Sequence, residues 1–500
     1  MYFSALCTRA GLSCPANMQK IKVSGICTDS AGLAPGELFV CLRGARTDGH
    51  LFLEQARARG ACAAVIEQGF SGQIPPGLPV LAVPDTRAAA SYLYDAFCGN
   101  PAKGMVLIGV TGTNGKTSVS WMLYELLTRC GLPCGLIGTV ACKSPGGEIA
   151  RDVSGNANMT TPEPAVLYPM LKKMAKEGAR YVIMEVTSHA LVQKRCEALR
   201  FDLGIFTNVT RDHLDYHGSM EEYFAAKKRL IGMCERVLLN LDDPRLASLA
   251  GSLSCKTHTC SARSATAEFC ARDASLTVQG VQYQLASANA HVRLSCPMSG
   301  QFAVINSLQA AAAAMLLGVD ARKIKEYMPQ ILPVPGRMER VPLPEAAGMT
   351  VLIDYAHTPD ALENLLRAVH KQRLRSQRIV LVFGCGGDRD KGKRAAMGQI
   401  ATRMADYVII TADNSRSEPT ADIIGDILRG VDRRAHYRVI QDRKSAIRHA
   451  IEHARRGDVI LLAGKGHENY EINSRGRQPF DERAIVQEAV AQMGIGKQGE

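Results

Sequence analysis

The segment Val106–Thr117, V-L-I-G-V-T-G-T-N-G-K-T, holds the residue types that bind phosphate groups. Backbone N–H groups of a glycine-rich turn and the positive end of a following helix can face phosphates. Lys116 can reach the outer phosphates of a nucleotide, and the Thr117 hydroxyl can serve Mg²⁺. The usual pattern has a further glycine where this chain has Val110, and here Gly112 lies inside the loop instead. The segment predicts a phosphate-binding loop (P-loop), with an ordinary glycine-rich turn as the alternative.

Such a turn binds phosphates only when a strand and a helix position it. Val106–Val110 is a short apolar run typical of a buried strand, and Thr111–Gly115 is the flexible turn after it. Ser118–Thr128 has apolar residues at helical spacing, and Gly131 is a C-terminal stop. The order of strand, turn and helix favours the P-loop over the ordinary turn.

Length and composition bound the class of protein. Five hundred residues, 46% of them hydrophobic, suggest about three domains. No apolar run reaches transmembrane length, and Met1–Ala10 lacks the pattern of a secretory signal peptide, so we expect a cytoplasmic protein without a membrane partner. In the cytosol the 16 cysteines are expected to be reduced and mostly buried, and their spacing indicates no zinc site.

The formal charge of +12 and the pI near 9.0 raise two alternatives. Basic runs such as 371–378 have no interleaved aromatic residues, which favours solvated helix ends over a nucleic-acid surface. A polyanionic small-molecule substrate explains the basic balance as well. We therefore predict no nucleic-acid partner and keep a nucleic-acid-stimulated P-loop ATPase as the alternative.

Apolar strands alternate with helical patterns along the chain. Residues 1–103 are predicted to form a small α/β domain, 104–333 a central P-loop nucleotide-binding domain, and 334–500 a doubly wound, Rossmann-like domain. The other predicted strands are Leu38–Leu42, Ala63–Glu67, Val80–Val83, Tyr181–Val186, Leu203–Thr207, Val237–Leu241, Val351–Asp354, Ile379–Phe383, Tyr407–Thr411 and Val459–Ala463. This alternation is typical of mainly parallel sheets covered by helices, so the predicted fold class is α/β in three domains.

Ligands in such sheets collect at the carboxyl ends of the strands. Glu185 ends one apolar strand, where an unpaired carboxylate would be costly, so we expect it to meet Mg²⁺ or, alternatively, to form a buried salt bridge. His213, Asp215 and His217 follow the next strand and could be metal ligands, although a histidine in a loop is more often a surface residue. Lys227 lies in the next helix, and nothing in composition singles it out.

Four strands of the third domain run into polar loops at 354–360, 384–394, 412–416 and 464–468. These loops should converge, because the carboxyl ends of parallel strands meet at one edge. The charged residues that they bring together are Asp388, Arg389, Asp413, Arg416, Lys465 and Glu468. Both charge signs in one pocket suit a zwitterion such as an amino acid, since an arginine can grip a carboxylate. A surface ion-pair network is the alternative.

Seven motifs together resemble the Mur ligase family, ATP-dependent amino-acid ligases of cell-wall precursor (peptidoglycan) synthesis. They are T-G-T-N-G-K-T at 111–117, E-V-T-S-H-A at 185–190, N-V-T-R-D-H-L-D-Y-H at 208–217, A-A-K at 225–227, P-G-R-M-E at 335–339, D-Y-A-H-T-P-D at 354–360 and G-C-G-G-D-R-D-K-G-K-R at 384–394. The resemblance covers almost the whole chain. The last two, with D-N-S-R at 413–416 and G-K-G-H-E at 464–468, are similar to those of members that add the third stem-peptide residue to UDP-N-acetylmuramoyl-L-alanyl-D-glutamate through an acyl phosphate. That residue is commonly meso-diaminopimelate or lysine.

The resemblance implies small-molecule substrates and a role for each site residue. ATP would contact Gly112, Thr113, Asn114, Gly115, Lys116, Thr117, Ser118, Asn306, Arg337 and Asp354. Mg²⁺ would be held by Thr117, Glu185, His213 and a carbamylated Lys227, and the catalytic residues would be Lys116, Lys227, Glu185 and His213. The UDP-sugar and dipeptide would contact Ser30, Ala45, Arg46, Thr47, Thr160, Thr161, Thr187, Gln193 and Arg195. The incoming amino acid would contact Arg389, Asp413, Asn414, Ser415, Arg416, Gly464 and Glu468.

Three positions depart from the family's pattern. Ala31 stands where the family usually has arginine, and Met159 interrupts the common N-T-T-P sequence after Asn158. Ser415 replaces the proline of D-N-P-R, and serine does not fix φ as proline does. Arg416 favours a substrate with a distal carboxylate, hence meso-diaminopimelate, and leaves lysine and ornithine as alternatives.

A second ligase of this architecture, folylpolyglutamate synthase, is a further alternative because it shares the P-loop and the carbamylated lysine. The full-length N-terminal domain, D-N-S-R and G-K-G-H-E speak against it. A catalytically silent scaffold is disfavoured by the intact Lys116, Glu185, His213 and Lys227. We expect a monomer.

Overall fold

The computed structural model describes residues 1–44, 47–149, 159–277, 280–298, 300–374 and 376–493. The chain divides into two compact units. The first comprises 1–271, 285–292 and 305–327, and the second comprises 272–284, 293–304 and the chain from 328 onwards. The cysteines are free thiols, as predicted. None of the described helices is long and apolar enough to cross a membrane.

The first unit opens with a small parallel sheet. Its elements are α1 (Phe3–Ala10), β1 (Ile26–Cys27), β2 (Leu38–Val40), α2 (Leu53–Ala58), β3 (Ala63–Glu67), β4 (Val80–Val83) and α3 (Thr86–Cys98). The strands lie in the order β1-β2-β3-β4, and every pair is parallel. Helix α3 begins after Asp85, whose side chain accepts the N–H of Ala88, and ends at Gly99 in a left-handed conformation.

A larger set of strands and helices follows. The strands are β5 (Val106–Thr111), β6 (Cys134–Ile137), β7 (Cys142–Ser144), β8 (Gly147–Glu148), β9 (Tyr181–Glu185), β10 (Phe201–Phe206), β11 (Cys234–Asn240), β12 (Lys256–Ser261), β13 (Phe269–Thr277), β14 (Gly280–Ser287) and β15 (Ala290–Cys296). The helices are α4 (Lys116–Arg129), α5 (Pro164–Lys176), α6 (Ser188–Val192), α7 (Leu214–His217), α8 (Met220–Lys228), α9 (Pro244–Ala247), α10 (Gln301–Leu316) and α11 (Ala321–Tyr327).

Strand β5 lies at the centre of the parallel part of this sheet. The order β12-β11-β10-β5-β9-β6 is parallel throughout, and β7 and β8 extend it with antiparallel pairs. Val110 pairs with Glu185, and Phe206 pairs with Thr111. The carboxyl ends of β5, β9 and β10 therefore meet at one edge, and the loops that follow them are neighbours.

The second unit holds a doubly wound sheet. Its strands are β16 (Glu339–Arg340), β17 (Thr350–Asp354), β18 (Ile379–Phe383), β19 (Tyr407–Ile410), β20 (Tyr437–Val439), β21 (Val459–Ala463), β22 (Tyr470–Asn473) and β23 (Gly476–Pro479). The helices are α12 (Pro359–Gln372), α13 (Gly392–Met404), α14 (Thr420–Leu428), α15 (Arg443–Glu452) and α16 (Glu482–Gln492). The order is β16-β17-β21-β18-β19-β20, parallel except at β16, and β22 and β23 form a separate hairpin.

Both faces of this sheet are buried. Along β18, Leu381 and Phe383 join one hydrophobic cluster, whereas Val380 and Val382 join the cluster on the opposite face. Strands buried on both faces have continuous apolar runs, and such runs can be recognised in the sequence. The bounds of β18 and β21 are accordingly those predicted. The predicted α/β class, with a mainly parallel central sheet and a Rossmann-like C-terminal part, is confirmed.

Candidate active site

The loop after β5 requires glycine at two positions. Gly112 has a φ of 149°, and a Cβ there would lie 1.8 Å from the hydroxyl oxygen of Thr207. Gly115 has a φ of 85°, and a Cβ there would lie 2.8 Å from the side-chain oxygen of Asn306. Helix α4 begins immediately afterwards, two residues earlier than predicted. The predicted strand, turn and helix are therefore present, and backbone N–H groups at the start of α4 adjoin the turn.

The segment after β10 holds this loop in place. The hydroxyl oxygen of Thr113 accepts the N–H of Thr210 at 3.0 Å, and the N–H of Asn114 donates to the side-chain oxygen of Asn208 at 2.9 Å. Ser118 lies half-buried in the first turn of α4. Hydrogen bonds from the segment after β10 therefore hold the loop in this shape.

Two lysines converge on one carbonyl oxygen of the loop. Lys116 Nζ donates to the carbonyls of Gly112 (3.0 Å) and Thr113 (2.9 Å), and Lys227 Nζ donates to the same Gly112 carbonyl (2.8 Å). Lys227 is 2% exposed, and its Nζ lies 4.5 Å from the centre of the Tyr223 ring. Burial, and then the charge of Lys116, hold the pKa of Lys227 well below its usual value. Its amine is therefore more readily neutral, and hence nucleophilic, than that of an exposed lysine.

Glu185 is buried at the end of β9 and is held by neutral donors. Its Oε2 accepts the hydroxyls of Thr117 (3.0 Å) and Thr139 (2.9 Å), and its Oε1 accepts the N–H of Thr139 (2.7 Å). The hydroxyl of Thr139 also lies 3.0 Å from that of Thr160. A Cβ on Gly138 would lie 2.5 Å from Oε1, so the chain approaches the carboxylate closely there. None of the ion pairs in the described parts of the chain includes Glu185, so the alternative of a buried salt bridge is not supported.

His213 precedes α7 in a left-handed conformation, with a φ of 52°. Its side chain is 48% exposed, its Nε2 lies 3.4 Å from a carboxylate oxygen of Asp212, and its ring contacts that of His189 edge-on at 4.8 Å. His217 is buried, with Nε2 2.9 Å from the hydroxyl of Ser188. The side chain of Asp215 lies outside what the structure describes. Within the described residues, no three His, Cys, Asp or Glu side chains form a cluster that could hold a metal.

The residues predicted to contact the dipeptide form one network beside Glu185: Thr160, Thr161, Thr187, Gln193 and Arg195. The hydroxyl of Thr161 donates to the backbone carbonyl of Glu185 (2.9 Å) and accepts the N–H of Thr187 (3.0 Å). Arg195 Nη1 donates to the carbonyl of Thr161 (2.8 Å), and its Nη2 donates to the side-chain oxygen of Gln193 (2.6 Å). The network links the predicted dipeptide contacts to the carboxylate at the end of β9.

The residues predicted to contact the UDP-sugar are less completely described. Ser30 is buried, and its hydroxyl donates to the side-chain oxygen of Gln55 at 2.8 Å. Thr47 is exposed, and its carbonyl accepts the N–H of Gly44 at 2.8 Å. Ala45 and Arg46 lie outside the described residues. Asn158, which precedes Met159 where the family commonly has N-T-T-P, lies outside them as well.

The residues predicted to contact ATP are divided between the two units. Asn306 belongs to the first unit and adjoins Gly115 of the P-loop. Arg337 and Asp354 belong to the second. Asp354 accepts the N–H of Met338 at 2.7 Å, and burial raises its pKa, an effect that Arg337 opposes.

In the second unit, the loops after β19 and β21 meet at Asn414. Its Nδ2 donates to Glu468 at 2.7 Å. Its side-chain oxygen accepts Lys465 Nζ (3.1 Å) and the N–H of Ile472 at the hairpin β22–β23 (2.9 Å). Three segments are therefore joined through one buried amide, and two of them were predicted to contact the incoming amino acid.

Two carboxylates of this pocket differ in their surroundings. A Cβ on Gly464 would lie 2.8 Å from Asp413 Oδ2, and Lys465 Nζ lies 3.7 Å from Asp413 Oδ1. Burial favours a higher pKa for Asp413, but Lys465 and Arg443 outweigh it and hold this pKa below its usual value. Burial, and then the charge of Asp413, raise the pKa of Glu468. Asp413 and Lys465 are buried, so the alternative of a surface ion-pair network does not describe this pair, whereas Asp388 and Arg389 are exposed.

Two arginines supply positive charge at the same end of the sheet. Arg416 has a φ of 52°, and its Nη1 donates to the carbonyl of Gly387 at 2.8 Å. Arg389 Nη1 donates to the carbonyl of Asp388 at 3.0 Å. Burial, and then the charge of Arg416, lower the pKa of Arg389, so the two guanidinium groups repel each other. Ser415, where the family has proline, is buried. Paired like charges of this kind favour binding of an anion such as a carboxylate.

Several residues that support these sites were not predicted from the sequence. Thr139 holds Glu185 through two hydrogen bonds. Arg394 is fully buried, pairs with Glu418 and donates to the carbonyl of Gly386. Arg443 is buried beneath the loops after β19 and β21. Arg394 is the last residue of the 384–394 motif, but an arginine within a helical pattern gives no sign of burial. Arg443 lies in none of the motifs, so no sequence signal could have found it.

Three family domains match successive parts of the chain. The Mur ligase family catalytic domain matches residues 22–93, the Mur ligase middle domain matches 110–314, and the Mur ligase glutamate ligase domain matches 336–466.

The relatives found include proteins named UDP-N-acetylmuramoyl-L-alanyl-D-glutamate–2,6-diaminopimelate ligase. The one from Geobacillus kaustophilus is 41% identical over 476 residues, covering 93% of this chain and 94% of the relative. The one from Caldanaerobacter subterraneus subsp. tengcongensis is 39% identical over 474 residues, covering 94% and 95%. A solved structure of a ligase of the same name is 30% identical, with a TM-score of 0.67, and covers 98% of this chain and 99% of that one.

Proposed function

The chain belongs to the Mur ligase family, and from this premise we propose that it is an ATP-dependent ligase of peptidoglycan precursor synthesis. The reaction would join meso-diaminopimelate to UDP-N-acetylmuramoyl-L-alanyl-D-glutamate and form ADP and phosphate. The names of the two relatives support the substrates, since both align with more than nine-tenths of this chain. The geometric observation that carries the amino-acid part is the junction of the 412–416 and 464–468 loops at Asn414, whose side chain bonds to Glu468 and Lys465, with Lys465 beside Asp413. Arg416 and Arg389 adjoin each other at Gly386, where a Cβ would lie 3.0 Å from Arg416 Nη1 and 3.7 Å from Arg389 Cγ.

The chemistry begins at the P-loop. The N–H groups around Gly115 and the start of α4 would bind the phosphates of ATP, and Lys116 would exchange its bonds to loop carbonyls for phosphate oxygens. A carboxylate oxygen of the D-glutamate residue then attacks the γ-phosphorus, the bond from that phosphorus to the ADP oxygen breaks, and an acyl phosphate forms. The network of Thr161, Thr187 and Arg195 would hold the dipeptide next to the P-loop strand.

The second step joins the amino acid. Its neutral amine attacks the acyl carbon, the carbon–oxygen bond to phosphate breaks, and an amide, phosphate and one proton are released. Arg416 and Arg389 would bind a carboxylate of the amino acid, and Asp413 or Glu468 an ammonium group. Water would destroy the acyl phosphate, so exclusion of solvent around it is part of the proposal.

The residues at the end of β9 fit Mg²⁺. Glu185 and Thr117 offer the oxygen donors that Mg²⁺ prefers, and phosphate and water would complete its coordination. When bound, Mg²⁺ would neutralise the charge that the transferred phosphoryl group carries. The readily neutral amine of Lys227 fits addition of CO₂, in which a nitrogen–carbon bond forms and one proton is released, and the resulting carbamate would hold a second ion. His213 would also contribute to holding Mg²⁺. We further propose a cytoplasmic monomer without nucleic-acid or membrane partners.

The direct test is phosphate release from ATP and Mg²⁺ in the presence of the UDP-sugar dipeptide. Parallel reactions contain meso-diaminopimelate, lysine, ornithine or no amino acid, and mass spectrometry follows the product. Release stimulated by diaminopimelate, with the tripeptide mass, is expected. Stimulation by lysine or ornithine alone would correct the amino acid. Release that depends on a folate and glutamate, or on DNA or RNA, would overturn the proposal.

A further inference from the structure

Arg443 is the first residue of α15, and its guanidinium group is fully buried. Nη1 donates to the carbonyl of Ala412 (3.1 Å), and Nη2 donates to the carbonyl of Ala463 (2.9 Å). Nε donates to Glu482, the first residue of α16, at 2.8 Å. One rigid planar group therefore connects the ends of β19 and β21 to two helices.

The two carbonyls lie at the start of the two loops that are proposed to bind the incoming amino acid. Ala412 precedes Asp413, and Ala463 precedes Gly464. The loops are so close that a Cβ on Gly464 would lie 2.8 Å from the Asp413 carboxylate. A change in their separation would therefore move the Asp413 carboxylate relative to the 464–468 loop.

Two local costs attend the position of Arg443, although Glu482 and Asp413 outweigh the effect of burial and raise its pKa. A cation at the start of a helix opposes the positive end of the helix dipole, and burial of a charged pair carries a large desolvation penalty. One carboxylate oxygen of Glu482 is buried without a hydrogen-bond partner among the described residues. Violations of local rules of this kind are expected where a residue serves a functional site. The hydrogen bonds to Ala412 and Ala463 identify that site.

We propose that Arg443 is a positioning residue that sets the separation of the 412–416 and 464–468 loops and thereby the affinity for the incoming amino acid. This inference rests on the proposed function for the identity of the ligand. The fork geometry of the guanidinium is essential, because it presents N–H groups to two carbonyls and one carboxylate at once. A lysine ammonium keeps the charge but lacks this fork.

Three variants test the proposal. Arg443→Lys keeps the charge and removes the fork. The double variant Arg443→Met with Glu482→Met removes both buried charges together, so that neither is left unpaired. The matched control is Arg448→Met with Glu488→Met, which removes a pair 3.5 Å apart between the same two helices, formed by a half-buried arginine and an exposed glutamate.

The readouts are separate KM values for the amino acid, ATP and the UDP-sugar dipeptide, together with amide hydrogen exchange. Arg443→Lys and the Arg443–Glu482 double variant are expected to raise KM for the amino acid about tenfold or more, since a displacement of about 1 Å has large effects in such sites. The other two KM values should stay within twofold. Exchange should accelerate in the 412–416 and 464–468 loops, and the control should match the wild type in every readout.

An unchanged KM for the amino acid in Arg443→Lys, or equal rises in all three KM values, would overturn the proposal. A loss of active enzyme with unchanged KM values would indicate a purely structural role and would also overturn it. If the wild type uses no diamino acid, the proposed function fails, and hydrogen exchange alone then decides. Unchanged exchange in both loops of Arg443→Lys would refute the positioning role in that case.

Discussion

Replacement of Lys227 separates the effect of its buried amine on stability from its effect on the reaction. In the unfolded chain this amine is protonated below about pH 10.4. In the folded chain burial, and then the charge of Lys116, hold its pKa well below that value, so the amine opposes folding at neutral pH. In general, a difference of one pKa unit between the two states corresponds to about 1.4 kcal/mol. The hydrogen bond of the amine to Gly112 returns about 1 kcal/mol.

Lys227→Met keeps the apolar stem and removes the amine. In CO₂-free buffer at pH 7, it is expected to raise the free energy of unfolding by about 1 kcal/mol or more. A folded pKa below the unfolded one means that the unfolded wild type binds more protons, so the stability of the wild type rises with pH up to about 10.4. The advantage of the Met variant should therefore shrink with rising pH. Thermal melting from pH 7 to 10 measures this difference.

Activity should fall in the Lys227 variants, although the free energy of unfolding of Lys227→Met should rise. Both Lys227→Met and Lys227→Ala should lower kcat about 10³-fold, because a metal-holding group contributes several kcal/mol to charge stabilisation. Only the Ala variant leaves space for a short carboxylic acid, so acetate or propionate should restore part of its activity and none in the Met variant. Wild-type activity in either variant, or rescue of both by acetate, would refute the role of Lys227. A lower melting temperature of Lys227→Met at pH 7 would refute the stability argument.

Three other changes test separate parts of the site. Gly112→Ala should abolish ATP binding and lower the melting temperature, because its Cβ would meet Thr207 at 1.8 Å. Gly131→Ala, with φ also positive but open space around its Cβ, should leave the KM for ATP unchanged, and equal effects of the two changes would contradict the steric argument. Glu185→Gln keeps a hydrogen-bond acceptor but removes the charge, so kcat should fall about 10²-fold and more Mg²⁺ should be needed for the half-maximal rate. An unchanged Mg²⁺ requirement would exclude Glu185 as a ligand of the ion. Arg416→Ala should raise the KM for diaminopimelate about 10- to 100-fold, since hydrogen bonds to charged groups contribute about 1.5–3 kcal/mol. The KM for ATP should rise less than twofold, and equal rises in both KM values would exclude Arg416 as the residue that binds the carboxylate.

The strands that form the cores could be predicted because their signal is local. Ala63–Glu67, Val80–Val83 and Ile379–Phe383 are apolar runs bounded by polar turns, and the structure gives them these bounds. The hairpin of β22 and β23 was not predicted. Its residues are half-buried or exposed, and it is held by a hydrogen bond from Ile472 to Asn414, 58 residues away. Tertiary contacts of this kind leave no local pattern.

The residues of the candidate site also divide into those with a local sequence signal and those that only tertiary contacts reveal. A metal-binding role for Glu185 could be predicted from its place at the end of an apolar strand. A role for Lys227 could not, because its partner Gly112 lies 115 residues earlier and only the fold brings them together. The role proposed for Lys227 came from resemblance to the family, and both roles stay predictions. Arg443 lacked even that guide, since its importance depends on the two carbonyl groups to which it donates. The predicted domain limits at 103 and 333 remain predictions.

The acyl phosphate is the central claim, and isotope transfer tests it most directly. UDP-N-acetylmuramoyl-L-alanyl-D-glutamate labelled with ¹⁸O in the side-chain carboxylate of its glutamate would be incubated with ATP, Mg²⁺ and diaminopimelate, and the released phosphate analysed by mass spectrometry. Attack of the carboxylate on ATP predicts that one labelled oxygen passes to phosphate in each turnover. Phosphate without label, released at the same rate as the product, would show that the carboxylate is never phosphorylated and would contradict the account.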